Sequence, residues 1–319
     1  MKTWNIIGNR RYGYLLSLII LVPGVIALLV WGINFGIDFT GGTLLDVRLG
    51  RDASIEEVRA VMATFQQADA VIQKSPDRPR QVLIRTEHLD EAQTAKVMTA
   101  LRDRFGGVEL LLAERVGPKI GRELRNQAIL AVVVGLVLQV FYISWRFRSL
   151  RFAVTADVAL LHDLLVVTGL YALTRRQVDS SFVAVLLTVV GYSINDTVVV
   201  FDRIREITGQ RIRATFPDLV NRSILEVLTR SLTTGSGAIM AIAAIYFLGG
   251  VTIRDFAFGL AAGVITGTYS SIFVASALLV DWHLLSERRA RRAGPVKAAE
   301  TPASQAVVGG RPGRRRNRR

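Results

Sequence analysis

The stretch LLTVVGYSINDTVVVFDRIRE, residues 186–206, constrains the chain more than any other, because a membrane-length apolar run carries Asn195 and Asp196 side by side. A charged side chain deep in a bilayer costs several kcal/mol, about +2.5 to +3.5 on insertion scales, so an acid held there needs a partner or a proton. The run closes on Asp202, Arg203, Arg205 and Glu206, which mark the membrane exit. That exit leaves Asp196 almost two helical turns inside.

Composition agrees with a membrane protein. The chain has 319 residues, half of them hydrophobic, and a mean hydropathy of +0.35, too apolar for a water-soluble domain of this size. The absence of cysteine excludes disulfides, thiolate zinc sites and cysteine nucleophiles together. With three histidines, at 88, 162 and 283, a histidine-rich metal site is not expected. The net charge of +14 is concentrated at the end, where residues 283–319 hold ten Arg and one Lys against two Glu. Without interleaved aromatics, this segment reads as a basic disordered tail drawn to anionic lipid, and nucleic-acid binding is not expected.

The order of segments follows from hydropathy and punctuation. Residues 1–11 form a short basic N-terminus and 12–33 a first uncleaved span, which the preceding Lys2, Arg10 and Arg11 orient with the N-terminus in the cytoplasm. Residues 34–121 make a soluble extracytoplasmic insert, entered through Gly41-Gly42 and balanced at twelve acids and twelve bases between 41 and 119. Within it, strands at 43–49, 70–74, 81–86 and 108–116 alternate with helices at 54–67 and 89–105, and Pro76–Pro79 forms a turn. This βαββαβ order predicts a ferredoxin-like α+β domain.

Residues 122–201 hold spans two to four, about 126–145, 152–174 and 182–201. Residues 202–230 form a basic amphipathic connection, with a helix at 218–228 lying on the inner interface. Residues 231–282 hold the last two spans, separated by a tight turn at 249–252, and 283–319 is the tail. The predicted fold is a six-helix transmembrane bundle, all-α in the membrane, with one inserted α+β periplasmic domain and both termini inside. In the sixth span, Gly259, Gly263 and Gly267 form a small-residue face for close helix packing.

Arg230 precedes the fifth span and lies at a depth similar to Asp196 in the fourth, so the two pair if their helices touch. Burial disfavours a charged carboxylate and a nearby guanidinium favours it, so a change in their separation changes whether such an acid holds a proton. Each charge crossing 100 mV gains about 2.3 kcal/mol. His162-Asp163 in the third span is a second intramembrane candidate, as a relay or as a helix-packing element. The chain contains no P-loop, G-x-S-x-G or H-E-x-x-H pattern, so no enzyme activity is expected. The residues alone leave open a proton-driven transporter subunit, half of a small-molecule or lipid exporter, and a scaffold in which Asp196 only fixes packing.

Four segments in order narrow these alternatives: FGIDFTGGT at 35–43, the His162-Asp163 span, VGYSINDTVVVFDRIRE at 190–206 and LTRSLTT at 228–234. Together they resemble the SecF family of the bacterial SecD–SecF export complex, within the resistance-nodulation-division superfamily. The resemblance covers almost the whole chain to about residue 285. It implies a cofactor-free subunit in the bacterial inner membrane that uses the proton motive force to promote preprotein translocation. The partners it implies are SecD, the channel subunits SecY, SecE and SecG, the SecA motor, YajC and the preprotein. The family's acid and arginine fall on Asp196 and Arg230, with Asn195 and Asp163 beside them as proton-relay candidates and a further acid supplied by SecD.

Overall fold

The computed structural model describes residues 4–75, 78–210 and 213–292. The chain opens with α1 (Arg10–Trp31) and the single turn α2 (Ile37–Thr40), then passes through β1 (Gly42–Leu49), α3 (Ile55–Ala63), β2 (Val71–Ser75), β3 (Arg78–Thr86), α4 (Glu91–Phe105) and β4 (Val108–Val116). The long helices α5 (Pro118–Phe147), α6 (Leu150–Leu173), α7 (Ser180–Gly209) and α8 (Phe216–Leu248) follow. The last is α9 (Val251–Ser270), joined by a π-helical turn at Ser271–Ala275 to α10 (Ser276–Arg292). Six of these helices, counting α9 through α10 as one, have the length and apolar composition to cross a membrane.

Their outward residues are apolar as well. Leu29, Val30, Val137, Leu138, Phe141 and Leu248 are all exposed, which is stable only where the surrounding phase is hydrocarbon. The inner face is small-residue packing. A Cβ on Gly24 would meet Gly169 Cα at 3.0 Å, bringing α1 onto α6. A Cβ on Gly263 would meet Val189 Cγ2 at 2.0 Å, so α9 lies against α7 with no room for a side chain.

The inserted domain forms one antiparallel sheet in the order β2-β3-β1-β4, with register pairs Leu45–Ile84 and Leu45–Ala113. One face is covered by α3 and α4, whose Val58, Met62, Val97 and Leu101 pack on Leu45, Val47, Val82 and Ile84. Both helices begin with capping boxes, Ser54 with Glu57 and Asp90 with Gln93. The turn expected at 76–79 falls partly on residues outside those described.

The glycine pair that feeds the sheet is sterically required. Gly41 and Gly42 have φ of 77° and 140°, and a Cβ would meet Pro118 Cα at 2.9 Å or Thr86 O at 2.5 Å. Beside them the domain is tied to the bundle. Gly36 N–H donates to Val178 O and Val178 N–H to Asn34 O, each at 2.9 Å, and Ser180 N–H donates to Asp38 Oδ2 at 2.9 Å. From the sheet, Arg85 reaches the same loop, its guanidinium lying against the Gln177 side-chain amide. Burial pulls the Arg85 guanidinium down to about 10.

Three expected boundaries differ. The helix expected at 218–228 is not separate from the fifth span; α8 runs unbroken for 33 residues, about 50 Å, from the connection into that span. Its first turns stay helical because Thr215 caps the N-terminus and Glu226 ties Arg222, at 2.8 Å, to Arg203 of α7. The turn at 249–252 is shorter, since α9 starts at Val251. Residues 283–292 of the expected disordered tail are helical in α10, with His283 stacked on Phe216 at 4.0 Å; residues 293–319 lie outside those described.

Candidate functional site

On α7 the residues Ser193, Asp196 and Thr197 lie three and four apart, so they share one helix face. That face is buried: Ser193 and Thr197 are each 1% exposed and Asp196 9%. Asn195, one residue away and so about 100° around the helix, is exposed. Sequence neighbours on a helix cannot both enter one pocket, and here Asp196 does.

Asp196 faces α8. Ser231 Oγ donates to its Oδ1 at 2.7 Å, while Oδ2 is buried and without a hydrogen-bond partner. Arg230, the residue before Ser231, is exposed and close enough for its charge to act on Asp196. No direct Arg230–Asp196 ion pair within 4.0 Å occurs among the described residues, so the contact expected from matched depth is replaced by the serine. The same α7 that carries Asp196 continues to Asp202, which pairs with Arg146 of α5 at 2.6 Å.

Asp163, on α6, is completely buried. Its Oδ2 accepts from Ser193 Oγ at 2.6 Å and Ser270 Oγ at 2.7 Å, and its Oδ1 lies 3.0 Å from His162 Nδ1. Three helices, α6, α7 and α9, are therefore tied through one carboxylate. His162 Nε2 and Asp157 Oδ1, both on α6, are buried without partners.

The helix that supplies Ser270 changes its winding at the next residue. Ser271 begins the π-helical turn, hydrogen-bonds Thr197 Oγ1 at 2.8 Å, and its carbonyl accepts from Ser276 Oγ at 2.9 Å. Single π-turns inside α-helices are uncommon and concentrate at functional sites. The glycines of α9 make the approach possible: a Cβ on Gly267 would stand 3.1 Å from Ser193 Cβ. Consecutive residues 270 and 271 thus contact Asp163 and the neighbour of Asp196.

The four anticipated residues are accordingly split. Asp196 is held at the α7–α8 contact by Ser231 with Arg230 exposed beside it, Asp163 anchors the α6–α7–α9 contact, and Asn195 faces outward. Ser193, Ser231, Ser270 and Ser271 were not anticipated. Ser231 lies inside LTRSLTT beside Arg230, and Ser193 is three residues before Asp196, the spacing that places two side chains on one face; no comparable pattern marks Ser270 or Ser271.

Comparison with known proteins places this arrangement. The family model described as "Protein export membrane protein SecD/SecF, C-terminal" matches residues 96–285, and the "SecD/SecF GG Motif" model matches 26–53, around Gly41-Gly42. The protein translocase subunit SecF of Thermobaculum terrenum is 40% identical over 93% of this chain and 99% of its own. That of Pseudomonas aeruginosa is 37% identical over 89% of this chain and 93% of its own. The crystal structure of SecDF from Thermus thermophilus superposes with a TM-score of 0.82 at 36% identity, covering 88% of this chain and 39% of that longer one. This chain belongs to the SecD/SecF family of protein-export membrane proteins, as a SecF-type member.

Proposed function

We propose that this chain is the SecF-type subunit of a Sec translocase accessory complex and uses the proton motive force to promote preprotein translocation across the plasma membrane. The observation that carries the reading is the unequal carboxylate of Asp196: one oxygen held by Ser231, the other buried and unpartnered, with the Arg230 charge nearby. An unpaired buried acceptor costs about 1–3 kcal/mol, and a proton on that oxygen or an approaching donor relieves it. Movement of α8 against α7 changes both the serine contact and the arginine distance, which couples protonation to helix position.

In this reading Asp196 and Arg230 carry the proton step. Asp163 joins them as a relay through Ser193, and Asn195 faces the partner subunit. Relatives that fuse SecD and SecF in one chain support SecD as that partner, which would supply the further acid. The channel SecY, SecE and SecG, the SecA motor and YajC complete the assembly, with an unfolded preprotein as cargo. The sheet order β2-β3-β1-β4 supports a ferredoxin-like domain, set on the periplasmic side, with both chain termini in the cytoplasm of a bacterial inner-membrane protein. Export work is done by movement rather than bond chemistry, so the chain is not an enzyme.

Complementation tests the assignment. In cells depleted of their own SecF, expression of this chain together with its SecD restores secretion of a signal-bearing preprotein, and the two copurify. Restored resistance to hydrophobic drugs without restored secretion would instead make it an exporter half.

A further inference from the structure

An apolar groove of about 430 Å³ runs between α8 and the α9–π-turn segment. Leu228, Leu232, Ser236 and Ile239 form one wall and Val264 and Phe273 the other, with Trp4 across one end. None of the residues lining it hydrogen-bonds Asp196 or Asp163. We propose that this groove is a lipid site that holds one acyl chain of a phospholipid.

Hydrocarbon is the only chemistry the lining leaves unsatisfied. Each hydroxyl on the groove is already bonded within the protein: Ser236 Oγ to Thr233 O at 3.0 Å, Thr268 Oγ1 to Tyr192 Oη at 3.2 Å, and Tyr269 Oη to Gly13 O. A ligand with polar groups along its length would lose its own hydrogen bonds on entry. At the groove floor, a Cβ on Gly235 would meet Thr268 Oγ1 at 3.1 Å, so the floor admits no wider side chain. Leu232 and Ile265 stand 55% and 61% exposed at its rim, facing the phase from which a chain would enter.

Length and orientation select a chain from one leaflet. From Leu228 to Ile239 the groove follows α8 for about 17 Å at the helical rise, close to half of the roughly 30 Å hydrocarbon core. Trp4 marks its outer end. The Trp4 carbonyl accepts from Asn221 Nδ2 at 3.0 Å, near the start of α8, and the side chain is 71% exposed, the setting of an interfacial anchor. On the topology proposed above, that end is cytoplasmic and the lipid comes from the inner leaflet. A chain seated there lies between the helix that carries Ser231 and the π-turn that carries Ser271.

Native mass spectrometry of the full chain purified with its partner tests the site directly, with no dependence on translocation activity. Wild-type protein retains one phospholipid per copy after exchange into detergent. Ser236→Phe, which fills the groove, and Ile265→Trp, which blocks its rim from the other wall, each reduce retention about fivefold, equivalent to roughly 1 kcal/mol of binding. Thr234→Phe, exposed on α8 but outside the lining, retains lipid as wild type does. Equal retention by all four proteins, equal loss in the Thr234→Phe control, or no lipid on the wild type would overturn the proposal. So would a photoreactive phenylalanine at position 236 that crosslinks in native membranes to a protein instead of a lipid. Thermal midpoints matching wild type for at least one groove variant separate loss of lipid from loss of fold.

Discussion

Ser231 Oγ hydrogen-bonds one oxygen of Asp196 at 2.7 Å and nothing holds the other, so a single hydroxyl on α8 is the only described donor to a carboxylate within the membrane-spanning part of α7. Ser231→Ala removes it. The expected result is destabilisation of about 1–3 kcal/mol, the cost of leaving a buried acceptor unpaired, and a displaced pH dependence of translocation. Chemical denaturation of the purified complex and translocation assays between pH 5 and 9 check the two parts; an unchanged pH profile would remove Ser231 from the proton site.

The α7–α9 contact depends on Gly263. A methyl group there meets Val189, itself 1% exposed, at 2.0 Å. Gly263→Ala therefore costs about 1–3 kcal/mol through overpacking. Gly191→Ala, on the open side of α7 with nothing within 4 Å, is expected to gain about 0.5–1 kcal/mol from helix propensity. Thermal unfolding of the two variants in one detergent gives shifts of opposite sign if the packing is as described.

Two carboxyls of the inserted domain give opposite pH signatures. Hydrogen bonds from the Arg51 side chain and the Ser54 backbone pull Glu57 from 4.5 down to about 2. Its contribution is present above the unfolded value and is lost as pH falls from about 4.5 towards 2. Partial desolvation of an otherwise exposed side chain, with the Asp38 and Asp179 charges adding to it, raises Glu114. A raised acid binds its proton more tightly when folded, so it opposes folding once pH rises above its ordinary range. Glu57→Gln is thus expected to be less stable than wild type at pH 7 and to approach it at pH 2. Glu114→Gln is expected to exceed wild type at pH 7 and to match it near pH 4. Melting curves across pH 2–7 read both.

Arg230 is exposed and its charge, rather than a direct ion pair, reaches Asp196. Arg230→Met is expected to leave the thermal midpoint of the isolated chain nearly unchanged, since an exposed charge contributes about 0–1 kcal/mol. Proton-dependent translocation should nevertheless be lost. A large loss of stability with retained translocation would make the arginine a structural anchor.

The spans, the acid in the fourth one and the βαββαβ order were readable because each rests on a periodicity that burial enforces along one segment. The helix continuity of α8 was not, because its first turns depend on Glu226 meeting Arg203 of another helix. The serines that hold Asp163 and Asp196 belong to three different helices, and only packing decides which hydroxyl faces which carboxylate. Asn195 shows the converse: adjacency to Asp196 suggested a shared site, while the 100° step of a helix turns it outward. The π-turn at Ser271–Ala275 has no proline or glycine to announce it.

The central claim is that Asp196 exchanges a proton as the helices move. Its most direct test is translocation into inverted membrane vesicles with and without a proton gradient, comparing wild type with Asp196→Asn in the assembled complex. The account predicts that the variant folds, copurifies with SecD and loses the gradient-dependent part of translocation. Undiminished gradient-dependent translocation by Asp196→Asn would contradict it.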